Sequence, residues 1–116
     1  MSDDARQEQE QAQERERLLC DAIASLRLVS FALKGHRRIA EPHDYGAICG
    51  ARRLFFHQVG GTSRSAPATG WRWAALGEIA DLRILNEHFP GPRATPSGRH
   101  HRWDRLIASV SRPPTR

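Results

Sequence analysis

The chain has 116 residues, of which 39% are apolar, and a formal net charge of +5, so its length allows one domain with a small core. No apolar run approaches the length needed to cross a bilayer, which excludes a helical membrane protein and points to a cytoplasmic one. Charge is uneven: residues 1–27 carry four arginines against seven acids, while residues 28–116 carry 14 basic against six acidic residues.

Residues 1–17 are a polar N-terminal extension, helical or frayed, with no side chain larger than alanine to bury between Ser2 and Arg17. Neither Gly nor Pro occurs from Ala5 to about Leu26, and Leu18, Leu19, Ala22, Ile23 and Leu26 make one apolar stripe. An N-terminal α-helix is expected, with Ser2, Asp3 and Asp4 able to cap it. Cys20 in that helix and Cys49 in a loop lack CxxC spacing, and both are expected as free thiols.

From Leu28 the period becomes two. Val29, Phe31 and Leu33 share a face, Lys34–His36 supply a turn, and Arg37–Pro42 return as a second strand that Pro42 and Asp44–Gly46 end. Arg52–Val59 reads as the third strand, Gly70–Leu76 as the fourth and Leu82–Leu85 as the fifth, with Phe89 as a late core anchor. The fold class expected is mainly β: a small five-stranded barrel preceded by an N-terminal α-helix. Pro90–Arg99 reads as a linker, and His100–Val110 as a short C-terminal helix whose Trp103, Leu106, Ile107 and Val110 pack back on the barrel. The domain division is 1–17 extension, 18–93 helix plus barrel, and 94–116 linker, helix and loose tail.

Of the 18 basic residues 17 are arginine, whose planar fork suits bidentate contact with phosphate or carboxylate; a GC-rich codon bias gives the same excess. Arg38, His43, Arg52, Arg64 and Arg72 come from four segments that a small barrel brings to one face. Beside Tyr45, Trp71 and Trp73 they would form the basic groove and stacking platform used for single-stranded nucleic acid. Trp71 and Trp73 share a face at period two, so at least one of them is expected in the barrel core rather than as a stacking surface; if that pair faces inward, Arg72 points outward. The loop from Gly60 to Thr69 combines two glycines, Ser63, Arg64 and Ser65; it is either an anion-wrapping loop or an ordinary turn. It is not a P-loop, because the GKS/T ending is absent.

Catalysis has little support. Glu41, His43 and Asp44 cluster with no placed nucleophile, Glu41 is expected to pair with an arginine, and the six histidines show no ligand spacing. No enzyme activity, cofactor or metal is expected.

Four runs occur in register: Val29-x-Phe31 with its turn at Lys34–His36; R-x-x-E-P-x-x-Y-G from Arg38 to Gly46; L-x-x-x-Q-V-x-G from Leu54 to Gly61; and W-R-W-x-x-L-x-x-I from Trp71 to Ile79. Together, over roughly Leu18 to Arg93, they resemble the WYL domain, and more closely the short stand-alone bacterial WYL-like proteins. Arg52, Arg53 and Leu54 stand where that family's name-giving Trp-Tyr-Leu would lie. The resemblance implies a helix followed by an Sm- or SH3-like five-stranded barrel, acting as a ligand-sensing or nucleic-acid-binding module in bacterial transcription regulation, here without a helix-turn-helix of its own. The expected function is non-enzymatic binding of an anionic ligand, single-stranded DNA or RNA or a nucleotide, through Arg38, His43, Tyr45, Arg52, Arg64, Arg72 and Trp73. The alternative is an assembly subunit that forms a homodimer or docks on a partner regulator.

Overall fold

The N-terminal stretch free of glycine and proline forms one helix, α1 (Asp3–Ser25), in the computed structural model, which describes residues 3–61, 69–93 and 103–110. Its Asp3 and Asp4 lie in the first turn, where carboxylates face the positive end of the helix dipole. Leu19, Ala22 and Ile23 form its buried stripe. The helix ends on Leu26 in the left-handed region (φ 56°), a position that usually takes glycine. Leucine is held there because its side chain packs on the core and its carbonyl accepts the Phe89 N–H at 2.9 Å.

Six antiparallel strands follow: β1 (Arg27–Leu33), β2 (His36–Ile48), β3 (Ala51–Gly61), β4 (Gly70–Ala75), β5 (Ile79–His88) and β6 (Arg105–Ser109). The order is β4-β3-β2-β1-β5, with β6 also paired to β2. The class is mainly β, as expected. The expected closed five-stranded barrel is corrected: a sixth strand is present, and β4 and β5 end the strand order without pairing among the described residues, whereas a barrel requires its end strands to share a ladder.

Two further expectations change. The second strand does not stop at Pro42 but runs on to Ile48. Pro42 is tolerated because it falls at a register shift against β3, and between the part of β2 that pairs with β1 (through Ala40) and the part that pairs with β6 (from Asp44). The expected C-terminal helix is a strand over Arg105–Ser109. A few residues cannot repay helix nucleation, while the Asp44–Ala47 edge of β2 offers them a ready ladder. Ile107 and Val110 do pack on the core, but Leu106 is 38% exposed. The tail from Ser111 lies outside the described residues.

Both tight hairpins use two left-handed residues, Lys34-Gly35 (φ 52° and 79°) and Cys49-Gly50 (φ 52° and 77°), the twist that joins antiparallel strands without splaying them. β1 alternates as expected, burying Val29, Phe31 and Leu33. Phe31 meets Phe56 of β3 edge-to-face at 5.2 Å, a favoured aromatic geometry. With Leu54, Tyr45, Ala74, Ile79 and Phe89 they form the core beneath α1. Cys20 and Cys49 are free thiols.

Candidate functional site

Paired residues in an antiparallel ladder project to the same side, and this decides where β4 aims its side chains. Arg72 lies opposite Phe56 and Ala74 opposite Leu54, so Arg72 belongs to the core face; Trp71 lies opposite His57 and Trp73 opposite Phe55, on the other face. The tryptophans therefore leave the core face to Arg72. Arg38 of β2 joins Arg72 there, since Arg38 pairs with the buried Phe31.

Arg38 is only 6% exposed, a burial that charged side chains rarely reach without a counter-ion. Its partners are neutral: Nη1 donates to Gln58 Oε1 at 3.0 Å, and Nη2 reaches the Leu33 carbonyl at a long 3.5 Å. Nε is buried with no hydrogen-bond partner among the described residues. Burial, and then the positive Arg72 nearby, both push the guanidinium pKa down. Gln58, fully buried, is held by its own bond from Nε2 to the Gly60 carbonyl at 3.1 Å. No carboxylate pairs with Arg38 among the described residues, and residues 62–68, which connect β3 to β4, contain no acid. Arg38 and Arg72 thus place two positive charges on the core face at the root of that connection. Arg64 and the rest of the predicted anion-wrapping loop lie outside the described residues.

The other predicted site residues go elsewhere. Tyr45 is fully buried, and its hydroxyl donates to Glu16 Oε1 of α1 at 2.8 Å. Burial and that bond push its phenol pKa far up, so it is a strut between sheet and helix rather than a stacking surface. Arg52 sits at the same end, its Nε 3.4 Å from Glu16. Of the expected ring of Arg38, Arg52, Arg64, Arg72 and His43, the described members are divided: Arg38 and Arg72 share the core face, Arg52 lies against Glu16 of α1, and His43 lies at the β2 register shift.

His43 is the extra residue at the β2 register shift, and such bulges re-aim side chains. Here the ring is 2% exposed, 4.8 Å from Trp71 and 5.3 Å from Phe89. Its Nε2 lies 3.1 Å from Glu41 Oε1. Burial lowers the His43 pKa, with Glu41 opposing in part, so at neutral pH the ring is neutral and Nε2 donates. Glu41 is clamped by Arg93, with Nε on Oε1 at 2.6 Å and Nη2 on Oε2 at 2.9 Å, a fork geometry specific to arginine. Burial works against the carboxylate, but Arg93 and His43 outweigh it and hold its pKa below the ordinary value. Glu41 does pair with an arginine, as expected.

On the same side as His57 the sheet carries an aromatic cluster that the sequence reading did not assemble. Trp71 stacks on Phe55 (4.8 Å, 7° between planes), Trp73 tilts over Phe55 at 4.7 Å, and Trp103 approaches Trp73 at 5.5 Å. Gly46 makes room for it: a Cβ there would collide with the Arg105 carbonyl and come within 2.9 Å of the Trp103 ring. The signal available was Gln58, a polar residue in step with core-facing Leu54 and Phe56, and Phe55, an aromatic out of step with them. Trp103, which precedes β6, carried no such signal, because that segment was read as a helix. Comparison with protein-family models, with curated proteins and with solved structures finds no match to this chain.

Proposed function

We propose that the chain is a non-enzymatic binding module for an anionic ligand, a nucleotide or single-stranded nucleic acid, in the manner of the WYL-like proteins whose Sm- or SH3-type fold its sequence resembles. One observation carries this reading: Arg38 is buried beside a second arginine, with neutral partners only among the described residues. A buried guanidinium that lacks a counter-ion burdens the fold, and a phosphate placed between Arg38 and Arg72 would relieve both desolvation and repulsion through charge-assisted bonds. Gln58 fixes the Arg38 fork in advance, which lowers the ordering cost of binding. The module is expected to transmit its occupancy to a partner regulator.

Fluorescence anisotropy of labelled single-stranded oligonucleotides tests this, with pyrophosphate as competitor. Two phosphate contacts give a log–log salt slope of about −1.4, a loss of roughly sevenfold between about 50 and 200 mM salt. Arg38→Met is expected to weaken binding and to halve that slope, to about −0.7. Absence of binding at about 50 mM salt overturns the proposal.

The alternative, an assembly subunit, draws on the strand order. β4 and β5 stand at its ends, and end strands offer unpaired backbone to a second chain. Sedimentation velocity separates the two: a stable dimer that ignores oligonucleotides favours assembly.

A further inference from the structure

We infer that the cavity enclosed by the end of α1, the segment after β5 and strand β6 is a second binding site, for an uncharged, apolar small molecule, separate from the anionic-ligand function proposed above. Its volume of about 560 Å³ falls within the range of small-molecule sites, which are concave and lined mainly by hydrophobic side chains. Ile23 and Leu26 at the end of the helix form one wall, Pro90 and Pro92 the second, and Ala108 and Val110 the third. Gly91, between the two prolines, also lines the cavity. It is buried, yet a Cβ there would meet nothing within 4 Å among the described residues, so no described side chain fills the space beside it. The walls are held by the chain itself. The Leu26 carbonyl accepts the Phe89 N–H at 2.9 Å, and the His43 carbonyl accepts the Val110 N–H at 2.8 Å, tying the helix to the exit of β5 and β6 to β2. Two prolines with fixed φ stiffen the remaining wall, and a site formed in advance loses less freedom when it fills.

The charge around the cavity selects its occupant. Among the described residues no lining side chain is charged. Arg27 and Arg93, which follow the Leu26 and Pro92 walls in the chain, turn to other partners: Arg27 to the Leu85 carbonyl and the Asn86 side chain, Arg93 to Glu41. Carboxylates stand behind two of the walls. Asp44 accepts the Ser109 hydroxyl at 2.5 Å on the β6 side, and on the helix burial, followed by Glu16 and Asp21, pushes the Cys20 thiol pKa up. A phosphate or carboxylate would therefore enter without a cation and against negative charge, while a cation would find no carboxylate in the wall itself. An uncharged apolar body meets neither penalty and gains from leaving water. Three walls around a space of this size suit a small molecule rather than a flat protein surface.

The test uses the full chain, N-phenylnaphthylamine as a neutral fluorescent probe, and octanol against octanoate, which share an alkyl chain and differ in the charge of the head group. Displacement of the probe gives the affinities. Alkylation of Cys20 by iodoacetamide, read by peptide mass spectrometry with the exposed Cys49 as internal reference, locates the binding. Octanol is expected to displace the probe, to slow the alkylation of Cys20 and to leave Cys49 unchanged. Octanoate is expected to bind at least about tenfold more weakly, because it must bury an unpaired charge. Ala24→Trp, at an exposed lining position on the helix, sets a ring across the cavity and is expected to weaken octanol at least about fivefold with the urea midpoint unchanged. Ala108→Leu fills the space from the β6 side and is expected to do the same, so a variant that misfolds leaves the other decisive. Failure of probe and octanol to bind, or displacement of the probe without shielding of Cys20, overturns the site. Equal affinity for octanol and octanoate overturns the choice of an uncharged ligand. A dimer that octanol dissociates also overturns it, since the cavity would then hold part of a second copy. None of these outcomes bears on the arginine site, whose probe is the oligonucleotide.

Discussion

Replacing Arg38 by methionine asks whether the buried guanidinium serves the fold or something outside it. Methionine keeps an unbranched apolar stem of similar reach and removes the charge. What is lost is one hydrogen bond, from Nη1 to Gln58 Oε1 at 3.0 Å; the 3.5 Å approach to the Leu33 carbonyl is too long to count for much. Orphaning the Gln58 oxygen costs about 1–3 kcal/mol. Against that stands relief of a buried charge, for which apolar replacement is commonly neutral or stabilising by about 1–4 kcal/mol. The two nearly cancel, so Arg38→Met is expected within about 1 kcal/mol of the parent, and Arg38→Met with Gln58→Leu, which removes the stranded amide oxygen and releases the half-buried Gly60 carbonyl, is expected to be no less stable than the single variant. Urea denaturation followed by tryptophan fluorescence measures both, with oligonucleotide binding weakened in each. A loss above about 3 kcal/mol in the single variant, the usual result of breaking a satisfied buried pair, would refute the reasoning and make Arg38 a structural residue.

Acid should weaken the fold in two steps. His43 is held neutral below its ordinary pKa of 6.5, so its contribution is complete above that pH and lost as pH falls from 6.5 toward the lowered folded value, at up to about 1.4 kcal/mol per pH unit. His57, lowered mainly by burial and then by Arg93, adds with the same sign, and Glu41 adds a second loss below 4.5. Urea midpoints at about pH 7.5, 6.5 and 5.5 are expected to fall and His43→Asn to flatten the trend; unchanged midpoints would contradict the assignment. Tyr45→Phe deletes the strut to Glu16 and should cost about 1 kcal/mol by the same assay, because half-buried Glu16 regains water. Gly46→Ala drives a methyl group into the Arg105 carbonyl and the Trp103 ring; a loss of about 1–3 kcal/mol with a red-shifted tryptophan emission is expected, and an unshifted spectrum would show that β6 is not seated there.

The helix, the first hairpin and the positions of β3, β4 and β5 were legible because each has a local cause: uninterrupted helix formers, alternation in Val29, Phe31 and Leu33, and glycine turns. What escaped is non-local. Pro42 reads as a stop unless one knows that β2 changes partners beside it. Trp103, Leu106, Ile107 and Val110 suit a helix until the Asp44–Ala47 edge is there to receive them. The same limit governs the site: the alternation in Trp71–Trp73 told that Arg72 faces oppositely, but only the ladder with Leu54 and Phe56 decides which side is the core. Arg38 and Arg72 do share a face, as the sequence suggested; Arg52, Tyr45 and His43 were chosen for their chemistry and are committed to Glu16 and Glu41 instead.

The partner change along β2 bears on folding and assembly. β1 to β4 form by closing neighbouring hairpins, but β6 must return across 65 residues to set Ser109 against Asp44, and such distant pairings form late. Until it arrives, the Asp44–Ala47 backbone is an open template for any strand, including the β6 of another copy. Since only identity of sequence is needed for that substitution, concentrated refolding should favour strand-exchanged pairs in which each copy completes the other's sheet. Trp103 would then be supplied to Trp73 in trans, so the aromatic face survives the exchange while the molecule carrying it becomes two-fold.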